Sequence, residues 1–298
     1  MLPPIMACAR QSREMPPFLA PQGKALVNGI RRPCALMAGE APHTIGMMVV
    51  LSRILLVIIG LFILPLSTHA LWWTLREDVA PNWRAADWSS AKLLPSVSQA
   101  PQAIVAVYAA RVGRWRGIFA HHTWIVVKEA GASQYTRYDK VGWGSPVRTN
   151  GWAPDGRWFG NAPHPVALIE GEDAQRLIPQ IREAVTTYPY AAYGSYNAWP
   201  GPNSNTFVAH VLRSVPELNA ALPPTALGKD WRPLQDLVGL TPSRTGVQIS
   251  LAGYAGLALG WVEGIELDFM GLVAGIDIRR PALKIPAWGR IGMDPITW

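Results

Sequence analysis

Two stretches of the chain carry side chains whose type and setting could do covalent chemistry. The first is FAHHTWIVV (119–127), where two adjacent histidines interrupt an apolar run. At strand period, His122, Trp124 and Val126 share one face while His121, Thr123, Ile125 and Val127 share the other. The two imidazoles therefore point to opposite sides, and only one can serve a given site. The second is WPGPNSNTF (199–207), in which the turn Pro200-Gly201-Pro202-Asn203 delivers Ser204 to the start of a helix. As an N-cap, the Ser204 hydroxyl accepts a backbone N–H of the first turn, worth about 1 kcal/mol. As a nucleophile, it attacks an acyl carbonyl while the N–H groups after it hold the oxyanion. A serine hydroxyl needs an adjacent base for that, and His122 is the candidate. A thiol would need less help, but the only cysteines, Cys8 and Cys34, lie far upstream.

Other polar residues carry less. His164 sits in a Pro-flanked stretch expected to be an exposed loop, and His210 lies within a helix where packing explains it. Glu263, Glu266 and Asp268 have no histidine at ligand spacing, so no metal is expected. The glycine-rich tail follows no phosphate-loop pattern, and no cofactor is expected.

The elements that must position these residues are readable from periodicity. AIVAVYAA (103–110) is a buried strand, FAHHTWIVV a second and QYTRYDKVGW (134–143) a third, with turns between them. Val166 to Ile169 is a short strand. A helix from about Glu172 to Thr187 puts Ala174, Leu177, Ile178, Ile181, Ala184 and Val185 on one face, with Pro179 inside it. A second helix runs from about Ser204 to Ser214. In the apolar tail 247–278, Gly256, Gly260 and Gly264 fall at helical small-xxx-small spacing. Glu263, Glu266 and Asp268 interrupt that stretch, which leaves core packing or contact with a membrane surface.

The N-terminal part sets the compartment. Residues 1–46 have no period and read as a disordered leader or an over-read start, with translation beginning at Met47 or Met48; a transit peptide is the rival reading. Residues 47–73 hold the apolar run ILLVIIGLFILPL (54–66), flanked by Arg53 and by Trp72 and Trp73. They form a membrane anchor or a cleaved signal segment. Arg31, Arg32 and Arg53 precede the run, so the positive-inside rule puts the body on the periplasmic side of a bacterial inner (cytoplasmic) membrane. Residues 74–100 read as a Trp-studded linker, and 101–298 as a single α+β domain. The net charge of +7, from 27 Lys and Arg against 20 Asp and Glu, is spread along the chain. No basic arm stands out, so a nucleic-acid partner is not expected.

The motifs HTWIVVK (122–128), VGWG (141–144), RWFGNAP (157–163), YPY (188–190), WPGPNSNTF, GKDW (228–231) and KIPAWGRIG (284–292) resemble an uncharacterised bacterial family, domain of unknown function 3750. That resemblance runs from about Leu51 to Gly292 and implies no activity. More distantly, a histidine on an early strand, a polar residue on the next and Asn-nucleophile-x-x-Phe at a helix start are similar to the circularly permuted papain-like fold. NlpC-type peptidases and lecithin:retinol acyltransferase relatives use that fold. The resemblance implies Ser204 at the nucleophile position, His122 as base and Tyr138 or Asp139 as the orienting residue. Relatives carry cysteine where this chain has Ser204.

The expected fold is α+β: a small antiparallel sheet packed with helices, permuted papain-like, plus one N-terminal hydrophobic helix. The leading functional expectation is a membrane-anchored cleft that binds cell-envelope peptide or lipid without catalysis. Trp124, Trp199, Asn203 and Asn205 would contact the ligand. The alternative is a hydrolase or acyltransferase of amide or ester bonds using Ser204 and His122.

Overall fold

The computed structural model describes residues 42–144 and 147–293. The expected leader up to residue 41, with both cysteines, lies outside the described residues. Met48–Trp298 forms a compact unit of its own, and both sheets and the helices packed on them belong to it.

Helix α1 (Pro42–Ile58) passes through one π turn (Ile59–Ile63) into α2 (Leu64–Thr74). Its first residue lies ahead of the boundary expected at Met47. The π turn has a local cause: Pro65 follows it and has no N–H to return to the Leu61 carbonyl. The stretch from Gly46 to Thr74 holds 29 residues and is long and apolar enough to cross a membrane. At 1.5 Å per residue it measures about 43 Å, more than a hydrocarbon core needs. Phe62, His69 and Trp73, which fall on one helical face, are the buried residues of its second half. Phe62 meets Phe269 with ring centroids 5.5 Å apart, and Trp73 Nε1 donates to the Arg114 carbonyl at 3.0 Å.

The site rests on a five-stranded antiparallel sheet of β1 (Ile104–Arg111), β2 (His121–Lys128), β3 (Thr136–Lys140), β4 (Val147–Thr149) and β5 (His164–Glu170), in the order β4-β3-β2-β1-β5. Both faces of its centre are covered, which is why β1 is apolar throughout rather than alternating. One face (Val105, Val107, Ile125, Val127) packs on α3 (Gly171–Thr186) and α4 (Ser204–Ser214). The other (Ala106, Tyr108, Trp124, Val126) is covered by aromatic residues of loops, including Trp88 from the expected linker and Trp152, Trp158 and Phe159. His164 opens β5 and is exposed there, in a strand rather than the expected loop.

The remaining chain forms a second sheet beyond the single small one expected. It is a seven-stranded meander of β6 (Val238–Leu240), β7 (Gly246–Ser250), β8 (Ala255–Gly260), β9 (Gly264–Phe269), β10 (Leu272–Asp277), β11 (Ala282–Ile285) and β12 (Gly289–Gly292). The helical reading of the glycine spacing at 256, 260 and 264 is therefore corrected. Gly260 pairs with Gly264 across the β8–β9 turn. Gly264 has φ +73°, and a Cβ there would stand 2.2 Å from the Ile276 carbonyl oxygen. The spacing serves a hairpin.

This sheet is polar on its buried face and apolar on its exposed one. One cross-strand row runs Leu240, Val247, Leu259, Ile265, Ile276, Leu283, Ile291 through all seven strands, and each member is exposed. The opposite row includes Gln248, Glu266 and Lys284, all buried. Lys229 Nζ reaches Glu266 Oε2 at 2.6 Å, and Lys284 Nζ reaches Oε1 at 2.5 Å. The two ammonium groups outweigh burial and bring the Glu266 carboxyl down to about 2.

Candidate functional site

Strand period places His122 beside Trp124 on the loop-covered face, and β3 brings Asp139 to the same face. His122 Nε2 and Asp139 Oδ1 lie 2.8 Å apart, both buried. Arg137, two residues before Asp139, grips its carboxylate with two bonds of 2.7 and 2.9 Å. Its guanidinium also donates to the Ala153 carbonyl at 2.7 Å and lies 4.0 Å from the Trp124 ring centroid. The His122 ring stacks on Trp158 at 3.8 Å.

These contacts set the charge states. Burial lowers the His122 pKa below its ordinary value, against the upward pull of Asp139. Burial alone would raise Asp139, but Arg137 and His122 override it and hold the carboxyl below the usual range. At neutral pH the pair is an imidazole beside a carboxylate, the form that a general base requires. Nε2 is committed to Asp139, so Nδ1 is the nitrogen left to take a proton.

Tyr138 and Asp139, alternatives in the sequence, are separated by the pleat. Asp139 bonds His122, whereas Tyr138 packs against the helical core, near Arg182. Trp124 is fully buried, with Nε1 donating to the Pro154 carbonyl at 2.8 Å. It supports the site from behind and offers no surface to a ligand, which corrects its expected role.

The start of α4 corrects the reading of Ser204 as a cap. Asn203 is the N-cap: its Oδ1 accepts from Asn205 N at 2.8 Å and from Thr206 N at 3.2 Å. Thr206 Oγ1 closes the capping box by accepting from Asn203 N. Ser204 is the first helical residue, and its hydroxyl takes no part in the cap. The same geometry removes the expected oxyanion donors, because the amides after Ser204 are already held by Asn203. Asn205 is structural too. Its side chain accepts from Thr123 Oγ1 and donates to the His121 and Leu227 carbonyls, tying α4 to β2.

His122, Ser204, Trp199, Asn203 and Asn205 all line one cavity of about 800 Å³. Its wall also includes Trp115, Phe119 and Trp143, and Ile63 and Leu66 of the apolar helix. Among the described residues no hydrogen bond joins His122 to Ser204. The Trp199 indole Nε1, buried in this wall, has no hydrogen-bond partner.

Tyr196, another lining residue, escaped the sequence reading. Burial raises its pKa, and the Ser204 side chain beside it and then Arg116 pull the other way. Its one signal was its place in YGSYNAWPGPNS, shortly before the serine. Arg137 and Trp158 were also missed as supports of Asp139 and His122.

The acidic residues of the tail are committed elsewhere. Glu263 accepts from Ser243 N and Oγ, Glu266 holds the two lysines, and Asp268 Oδ1 accepts from Gly271 N.

Residues 102–231 match the model of a family described as "Protein of unknown function (DUF3750)". That segment holds His122, Asp139, Tyr196 and Ser204 and ends at the GKDW motif, while KIPAWGRIG lies beyond it. No curated protein and no solved structure matches the chain.

Proposed function

We propose that this protein is a membrane-anchored acyl-transfer enzyme, a hydrolase or acyltransferase of ester or amide bonds, acting on an acyl lipid of the cell envelope. The observation that carries the reading is that His122, held from behind by the buried Asp139, and Ser204 line one cavity. This arrangement agrees with a permuted papain-like reading of the first sheet and α4, with serine at the nucleophile position. An apolar cavity bounded by Ile63 and Leu66 of the candidate membrane helix favours a lipid over a polar peptide. The charge pattern before that helix favours a body on the periplasmic side of a bacterial inner membrane.

In this mechanism Ser204 Oγ attacks the acyl carbonyl carbon, and its proton passes to His122 Nδ1 as the new C–O bond forms. Asp139 stabilises the resulting imidazolium through Nε2. The Ser204 amide, which the Asn203 side chain does not hold, and the Tyr196 hydroxyl beside the Ser204 side chain would hold the oxyanion. His122 then returns the proton to the leaving oxygen or nitrogen as its bond to the acyl carbon breaks. Water or an acceptor hydroxyl then attacks the acyl-serine and gives its proton to His122, which passes it to Ser204 Oγ as the bond between that oxygen and the acyl carbon breaks.

A second reading is favoured by the missing hydrogen bond between His122 and Ser204: the cavity binds an envelope lipid without reaction. A long-chain fluorophosphonate separates the two when applied to the full chain in lipid nanodiscs. The enzyme reading expects covalent labelling that Ser204→Ala abolishes and His122→Ala slows strongly. Wild-type protein that stays unlabelled, or label that survives Ser204→Ala, leaves the binding reading in its place.

A further inference from the structure

We propose that the second sheet lies flat on the lipid bilayer, with its exposed face immersed among the acyl chains beside the N-terminal helix. In an antiparallel sheet with one solvated face, alternation normally turns polar residues outward. Here the order is reversed along whole strands. In β9, Glu266 and Asp268 are buried while Ile265 and Leu267 are 38% and 43% exposed. The apolar row crosses all seven strands without a charged residue, so the patch is continuous. Soluble monomers rarely expose contiguous apolar areas beyond a few hundred Å².

The choice of lipid over another protein comes from continuity with the apolar helix. The outward row of β9 runs Ile265, Leu267, Phe269, and the Phe269 ring rests on Phe62 of the π turn. The exposed sheet face thus ends against a helix that is itself apolar and unburied over most of its length. One hydrophobic layer accommodates both. The hairpin tips at the end of the sheet away from Phe62 carry Trp261, Arg244 and Arg279, all exposed. Such residues suit the headgroup level, where indoles settle and guanidinium groups meet phosphates. The sheet cannot go deeper, because among the described residues the edge strands β6 and β12 have no further strand to pair with. Side chains enter the lipid and the ladder stays at the interface. This attachment does not depend on chemistry at Ser204.

The test is spin-label accessibility on the full chain, with Cys8→Ser and Cys34→Ser, in vesicles of phosphatidylethanolamine and phosphatidylglycerol. A nitroxide is placed at Leu257→Cys or Leu267→Cys, mid-sheet positions already exposed and so tolerant of the label. Leu56→Cys in the helix serves as the lipid reference, and Glu183→Cys on the exposed side of α3 as the water reference. The proposal expects sheet labels to match Leu56: accessible to oxygen and shielded from a water-soluble nickel complex. Labels that match Glu183 overturn it. Spin–spin broadening at Leu257 that disappears on dilution with unlabelled protein also overturns it, because the face is then an interface between two copies.

Discussion

His122 and Asp139, 17 residues apart on neighbouring strands, meet at 2.8 Å through Nε2 and Oδ1. That bond decides which imidazole nitrogen serves the cavity, and Asp139 is itself fixed by Arg137. Asp139→Asn should therefore slow fluorophosphonate labelling of Ser204 by about 10²- to 10⁴-fold, the usual worth of a positioned base. The wild-type rate should hold its plateau through neutral pH and fall only below 6.5, because burial lowers the His122 pKa from that value. Asparagine removes the charge that opposes this lowering, so the acid limb should move to lower pH while the amplitude drops. An unchanged rate and profile in Asp139→Asn would detach the pair from any chemistry at Ser204.

Asn203 and Ser204 adjoin in sequence but differ in duty, and stability separates them from activity. Asn203→Ala removes the cap and the side-chain donor to the Ala198 carbonyl, and leaves the Leu227 carbonyl with Asn205 alone. A loss of about 2 kcal/mol is expected, read as a lower unfolding temperature in nanodiscs. Ser204→Ala removes a buried hydroxyl beside Tyr196 but leaves the cap intact, so it should cost less than Asn203→Ala, about 0.5–1.5 kcal/mol, while abolishing labelling. Comparable destabilisation by both would return the serine to a structural role.

Local pattern explains which parts could be read in advance. The bounds of α4 and the apolar face of α3 were legible because one helical period governs each of them. The partner of His122 on the next strand came from the distant resemblance, not from local pattern, and only as a choice between Tyr138 and Asp139. Only the β2–β3 register decides between opposite faces of one strand. Asn203 was passed over as the cap because serine and asparagine are equally good in that position, and Tyr196 because nothing local marks a tyrosine in a loop. The second sheet was misread for a physical reason. Gly256, Gly260 and Gly264 fall at a spacing that suits helix packing as well as hairpin turns. With Glu266 and Asp268 buried and Ile265 and Leu267 exposed, the alternation marks a strand without showing which face meets the core.

The Lys229–Glu266–Lys284 cluster should anchor the buried face of that sheet. Replacing Glu266 with Gln leaves two buried ammonium groups without their counter-charge, a loss of about 3–5 kcal/mol. A triple variant, Lys229→Met with Glu266→Leu and Lys284→Met, should recover much of it, since no charge is left unpaired. Glu266 also predicts an acid limb. Its folded value near 2 lies below the ordinary 4.5, so its stabilisation is complete above about pH 4.5 and lost as pH falls toward 2. Thermal unfolding of wild type and triple variant across this range checks it: the triple variant should lose less.

Asp268 predicts the opposite slope on the same face. Burial, and then the neighbouring Asp230 carboxylate, raise its pKa from 3.8 to about 8. The folded protein therefore keeps a proton that the unfolded chain has released. That contribution is complete below about pH 3.8 and is lost as pH rises through about 8. Asp268→Asn stays neutral throughout, and its Oδ1 can still accept the Gly271 N–H that Asp268 accepts at 2.9 Å. The variant should match wild type near pH 4 and unfold at a higher temperature near pH 9. Asp230→Asn should give part of the same gain, because it removes the charge that most strongly opposes ionisation of Asp268. If Asp268→Asn unfolds at or below the wild-type temperature in alkali, the carboxyl is ionised in the native state and the buried face of the sheet holds more negative charge than these contacts allow.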